Sequence, residues 1–262
     1  MLVLLSPSKT QDFHSNTQIQ KYTIPVFLKE AQSIQKELKK LSLTEIEEQI
    51  KVSTKLAEKT AIMFDSFSES LNLENAKQAL LVFTGHVFEQ IDVHNYKEKD
   101  FQFAQKHLRI FSALYGVLRP LDLIQMYRLD YDMKFKFQGE DLMKYWKEKC
   151  TENIKKTLQE NKEKHIINLA SQEYFNSINF SKITKEVKEI DIKIINIVFK
   201  EKKNEKYKIV SIFAKRARGL MCDFIIKNQI TSPEKLKTFN TNNYTFKSEL
   251  SSENEFIFTR ES

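Results

Sequence analysis

Three short polar sets in this sequence hold residue types that could do chemistry. SPSKT at 6–10 gathers hydroxyls, an ammonium and free backbone N–H groups directly after the apolar run LVLL. Chemically that is an anion or phosphate cradle, with Ser6, Lys9 and Thr10 as its candidate ligands. It lacks the glycine-rich spacing of a P-loop, and an ordinary polar turn is the plainer account. LASQEYF at 169–175 carries Glu173 and Tyr174 after a predicted strand. Glu173 is a candidate general acid or base, whereas Ser171 suits the simpler role of a helix N-cap. FAKRARGLM at 213–221 places Lys215, Arg216 and Arg218 at the entry to a helix. Cations there oppose the helix dipole, and a bound anion would relieve the mismatch. Lys9, Glu173, Tyr174 and Lys215 are thus the candidates for catalysis, and the cations among these sets are the candidates for phosphate.

A fourth candidate is the turn LYGVL at 114–118, with Gly116 and Pro120 four positions apart in a chain of only 4 Gly and 4 Pro. The pattern matches the hydrophobic–Gly–hydrophobic turn of a helix-hairpin-helix, in which glycine lets backbone N–H groups approach a DNA phosphate. Tyr115 and Gly116 would form the turn, Arg119 would add a charge-assisted contact, and Arg128 lies in the same basic stretch. A plain helix–loop connection with glycine at the cap remains open. His14, His86, His94 and His107 have no metal-ligand spacing, and His86 with Glu89 makes only two ligands. No metal or other cofactor is expected.

The elements that must position these sets follow from periodicity. LVLL at 2–5 suits a fully buried first strand. Helices are expected over about 25–40, with Pro25 in the first turn and Phe27, Ala31, Ile34 and Leu38 on one face, and after Thr44, with Glu47 completing a capping box. Ile46, Ile50 and Leu56 suit the face of that second helix. ALLVF at 79–83 reads as strand or helix end, stopped by Gly85. A helix over about 98–114 leads into the turn, and a charged amphipathic helix covers about 140–161. Strands are expected at 165–169, 192–199 and 207–213, the last two joined by a basic turn over 200–206. A helix over 214–229, a turn opened by Pro233 and strands near 244–247 and 255–259 complete the chain. With no repeat and no linker, the expectation is one α/β domain over 1–262, an α+β mixed sheet with surrounding helices, unusual in topology and carrying a helix-hairpin-helix-like element around 98–128.

Composition narrows the class. The 262 residues are 41% hydrophobic with 20 Phe and 9 Tyr, enough for a sizeable core. MLVLL is too short for the apolar part of a signal peptide, no apolar run approaches a membrane span, and Cys150 and Cys222 belong to no cysteine cluster. Together these point to a reducing cytoplasm. Net charge is +7, and residues 200–218 alone hold eight Lys or Arg against two Glu. A polyanionic partner would explain that window, as would a solvated basic hairpin.

The sets LVLLSPSKT, FAQKHLRIFSALYGVLRPLDLIQMYRL, GEDLMKYW, INLASQEYF and FAKRARGLMCDFII together resemble the YaaA family, named for peroxide-stress resistance, over nearly the whole chain. The resemblance implies an unusual α/β fold with a helix-hairpin-helix and a positively charged cleft. It also implies DNA binding, which phosphate contacts would make largely sequence-nonspecific, and a role in limiting oxidative DNA damage by keeping free iron low. It carries over Ser6, Lys9, Thr10, Tyr115, Gly116, Arg119, Pro120, Asp122, Arg128, Glu173, Tyr174, Lys215, Arg218 and Gly219. Two stretches depart from the family pattern: His86 and Phe88 stand where it has Asp and Tyr, and Asp130-Tyr131-Asp132 where it has Glu-Met-Gly.

Three function classes follow. A DNA-binding stress protein leads. An enzyme acting on a nucleobase or nucleotide is the alternative, since the polar sets all fall at predicted strand ends and could share one pocket. An iron-sequestering protein is the third, and the lack of a ligand cluster speaks against it.

Overall fold

The computed structural model describes residues 1–15, 19–188, 191–204 and 206–261. Strand β1 (Leu2–Leu5) is followed by helices α1 (Leu28–Leu38), α2 (Leu43–Ile50) and α3 (Thr54–Asp65). A two-residue strand β2 (Lys77–Gln78) runs into one helical turn, α4 (Ala79–Val82). Helix α5 (Glu98–His107) passes without a loop into β3 (Leu108–Ser112), which turns back as β4 (Gly116–Leu118). Short strands β5 (Leu123–Ile124), β6 (Lys136–Phe137) and β7 (Glu140–Asp141) lead to the long helix α6 (Leu142–Glu160). Then come β8 (His165–Asn168), α7 (Gln172–Phe175), α8 (Phe180–Glu186), β9 (Lys193–Lys203), β10 (Lys206–Lys208), α9 (Ser211–Lys227), β11 (Thr245–Phe246) and β12 (Glu255–Glu261).

Among the described residues, eight strands form one mixed sheet in the order β11-β12-β9-β8-β1-β3-β4, with β10 paired to β9. The pairs β1–β3, β1–β8, β8–β9 and β9–β12 are parallel, and the three hairpin-type pairs are antiparallel. All four residues of β1 are buried, as a central strand covered on both faces requires. The expected α/β class with a mixed sheet holds.

Several boundaries differ from expectation, each for a local reason. The helix expected to reach residue 114 ends at His107, because LRIFS pairs in parallel with β1 (Val3 opposite Leu108, Leu5 opposite Ile110). A continuous apolar run is equally good as strand or helix, and the sheet partner decides. The turn at 112–116 therefore joins two strands, and the 98–128 segment is a helix followed by three short strands rather than a helix-hairpin-helix. The capping box of α2 is Ser42 with Glu45, two positions before the expected pair, and Lys51 in the left-handed region ends that helix, so Leu56 belongs to α3. Pro25 precedes α1 rather than opening it. The strand expected over 207–213 stops at Lys208, and residues from Ser211 on belong to α9.

Two contacts set the position of α9. At its N-terminal end Arg260 of β12 lies between the rings of Phe213 and Tyr244, 4.7 Å from each, and pairs with the buried Glu201 of β9 at 2.9 Å. At its middle, a Cβ on Gly219 would fall 2.0 Å from the Val87 carbonyl oxygen. Only glycine permits that approach of helix to backbone. Gly219→Ala gains helix propensity but forces α9 and the 87–90 segment apart. It is expected to destabilise the fold by about 2 kcal/mol net in urea unfolding, and an unchanged midpoint would show the packing to be loose there.

A bipolar cleft at the strand ends

Strands β1 and β8 are neighbours and parallel, so the loops leaving their C-terminal ends lie side by side. Ser6 and Ser171 join them: the Ser171 N–H donates to Ser6 Oγ at 2.8 Å, and the two hydroxyls are 3.3 Å apart. Asn168 shapes the second loop by accepting from the Ala170 N–H at 2.9 Å. Within the first, Ser8 Oγ accepts from the Thr10 N–H at 3.1 Å. The Thr84 N–H donates to the Thr10 carbonyl at 3.1 Å and holds the 84–89 segment against this loop, with Gly85 in the left-handed region at φ 92°. Helix α9, seated on that same segment through Gly219, closes the opposite side.

The result is a cleft of about 640 Å³. Ser6, Lys9 and Thr10, Glu173 and Tyr174, and Lys215 and Arg218 all line it. The three strand-end sets meet in one place, with Lys9 and Glu173 on the same cleft. Asp130, Gly85, His86, Phe88 and Glu89 line it as well. Of these, Asp130 makes the most polar contacts; the sequence marked it only as a departure from the family pattern and gave it no role in a site.

Asp130 gathers the acidic side. Lys9 Nζ lies 3.1 Å from its Oδ2 and 3.2 Å from Asp132 Oδ2. The buried Tyr174 donates its hydroxyl to Asp130 Oδ1, which also accepts from the Tyr131 N–H at 2.9 Å. Partial burial works against the Lys9 charge, yet Asp130 and Asp132 outweigh it and raise the ammonium pKa. Lys9 is thereby held charged, and a Schiff-base role, which needs a free amine, does not suit it. Burial first, then the neighbouring Asp130 carboxylate, pushes the Tyr174 phenol well above its ordinary value. Glu173 is also raised, by desolvation and then by Asp130 and Asp132, against the pull of Lys9. A carboxyl poised this way is suited to donate a proton.

The α9 side is different. Lys215 and Arg218 are one helical turn apart on the face that carries Gly219. Neither has a hydrogen bond or ion pair among the described residues. Arg218 is partly buried, and desolvation lowers its pKa. A partly desolvated guanidinium without a carboxylate is an anion-binding group. The expected positively charged cleft is therefore polarised, with a cationic wall facing an acidic one.

The remaining candidates lie elsewhere. Arg216 is exposed on α9 outside the cleft lining. Tyr115 is fully buried and its hydroxyl accepts from the Gln125 N–H at 3.1 Å. Gly116, at φ 70°, is packed so that a Cβ would meet the Trp146 ring at 2.8 Å, while Trp146 Nε1 donates to the Ala113 carbonyl at 2.8 Å. Arg119 is held by the buried Asp122 at 2.8 Å and by the Ile24 carbonyl at 2.9 Å. Arg128 is half-buried, with Nε lacking a hydrogen-bond partner, and it does not line the cleft. This hairpin is buried structure that forms the β4 edge of the sheet. Both cysteines are buried as free thiols, and burial raises the pKa of each. The thiolate is the form that attacks peroxide, so neither is set up as a redox sensor.

Over residues 1–250 the chain matches the family described as Peroxide stress protein YaaA. It belongs to the YaaA family. A UPF0246 protein of Clostridium beijerinckii (strain ATCC 51743 / NCIMB 8052) is 43% identical over 263 residues, covering 100% of this chain and 98% of that protein. Another, from Colwellia psychrerythraea (strain 34H / ATCC BAA-681), is 41% identical over 261 residues, covering 99% of each. The two departures from the YaaA pattern noted in the sequence both fall on the cleft, as His86 and Phe88 and as Asp130. Among the described residues no helix is long and apolar enough to cross a membrane.

Asp130→Asn tests the electrostatics of the acidic wall. The Glu173 carboxyl is expected to titrate at lower pH and the Lys9 ammonium to lose its upward shift, both followed by NMR pH titration. If Glu173 does not move, Asp130 contributes nothing to its proton affinity.

Proposed function

We propose that the protein is a cytoplasmic DNA-binding protein of the peroxide-stress response, engaging DNA without sequence specificity across the strand-end cleft. The observation that carries this reading is Lys215 and Arg218, without a hydrogen-bond or ion-pair partner among the described residues, on one wall of the cleft next to the basic β9–β10 hairpin. Phosphate neutralisation by such groups supplies sequence-independent affinity. The family's name supports the stress role. In this reading the protein limits oxidative DNA damage and helps keep free iron low. Among the described residues no three His, Cys, Asp or Glu are grouped to hold a metal ion.

A second reading, an enzyme acting on a nucleobase or nucleotide, is favoured by the Lys9–Asp130–Tyr174 network with Glu173 beside it. Phosphate binding needs none of those acids. It predicts that incubation with DNA or nucleotides yields a product, seen by mass spectrometry, that Glu173→Gln abolishes.

DNA affinity measured by fluorescence anisotropy is expected to drop steeply between about 50 and about 200 mM salt. Reversing charge at Lys215 and Arg218 is expected to weaken binding roughly tenfold or more and to flatten the salt slope by about one per lost phosphate contact. Equal affinity and slope in the folded double variant would remove the α9 wall from the DNA site.

A further inference from the structure

Residues 206–212 read KYKIVSI, spanning β10 and the entry to α9, and every one is exposed. Ile209 is 62% exposed, Ile212 38%, and Tyr207 and Val210 36% each. Single exposed apolar residues are ordinary, but four within six positions form a strip. Ile209, Val210 and Ile212 lie outside the buried core. Lys206, Lys208, Lys215 and Arg216 flank the strip, and none has an ion-pair partner among the described residues. The surface therefore fits a partner that is polyanionic outside and apolar within.

Placement selects among such partners. Ile212, Lys215 and Arg218 follow one another at intervals of three along α9, so the strip runs up one helix face into the cationic wall of the cleft. A lipid surface would meet the strip but has no use for a recessed cleft with an acidic far wall. DNA uses both, because aliphatic side chains can enter a base step and a pocket can receive the nucleotide that leaves the stack.

We propose that Ile209 and Ile212 form a wedge that opens a base step beside the cleft. The displaced nucleotide then enters the cleft, its phosphate on Lys215 and Arg218 and its base edge toward Glu173 and Asp130. This rests on the reading that the protein binds DNA across the cleft.

The test uses a short duplex with 2-aminopurine at its centre, whose fluorescence rises on unstacking, while anisotropy on the same samples reports binding. Wild-type protein is expected to bind and to raise the fluorescence several-fold. Ile209→Ser with Ile212→Ser is expected to lose the rise while affinity drops by no more than about threefold, because phosphate contacts dominate binding. Ile209→Leu with Ile212→Leu is expected to keep the rise. Both positions are exposed, and circular dichroism confirms the fold of each variant. Binding without any rise overturns the wedge and leaves the DNA reading standing, whereas no binding overturns both. A rise that survives the serine pair overturns the wedge. So does a concentration-dependent dimer or binding to anionic lipid vesicles that the serine pair abolishes, since the strip would then belong to a second copy or a membrane.

Discussion

The cleft depends on one close approach. Helix α9 comes against the Val87 carbonyl at Gly219, where any side chain would have to occupy the space of a backbone oxygen. Through that contact the helix holds the 84–89 segment, which the Thr84–Thr10 hydrogen bond ties to the loop after β1. The β1 loop is joined in turn to the β8 loop through Ser6 and Ser171. Three segments from distant parts of the chain thus share one cavity, and the helix that completes it carries the two uncommitted cations.

Within that cavity the two walls obey opposite rules. On the acidic side the charges of Lys9 and Asp130 are engaged: Lys9 is bracketed by Asp130 and Asp132, and the Tyr174 hydroxyl donates a hydrogen bond to Asp130. Such a network is rigid because removing one member leaves another unsatisfied. On the α9 side Lys215 and Arg218 have no protein partner among the described residues, and Arg218 bears the cost of partial desolvation. One wall is organised in advance, and the other is left open for a ligand.

The central strands were legible because buried parallel strands are continuous apolar runs, as in LVLL and HIIN. The same property misleads at LRIFS, where the helical pattern of α5 flows into the strand with no glycine or proline between them. Polar sets at strand ends were legible as types, but their meeting was not, since Lys9 finds its partner Asp130 across more than a hundred residues of chain. Arg119 offered a warning: Asp122 stands three residues away and takes up its guanidinium, so this arginine fixes a turn rather than a phosphate. Gly116 has the positive φ expected of a special glycine, but the space it spares is filled by Trp146 rather than by a ligand.

The burial of Cys150 and Cys222 carries a consequence for a family named for peroxide stress. Sulfenic acid forms from exposed thiolates, and these two sulfurs are neither exposed nor readily ionised. Their oxidation state is therefore insulated from the surrounding medium. What these two sulfurs give the protein is thus packing volume rather than redox chemistry.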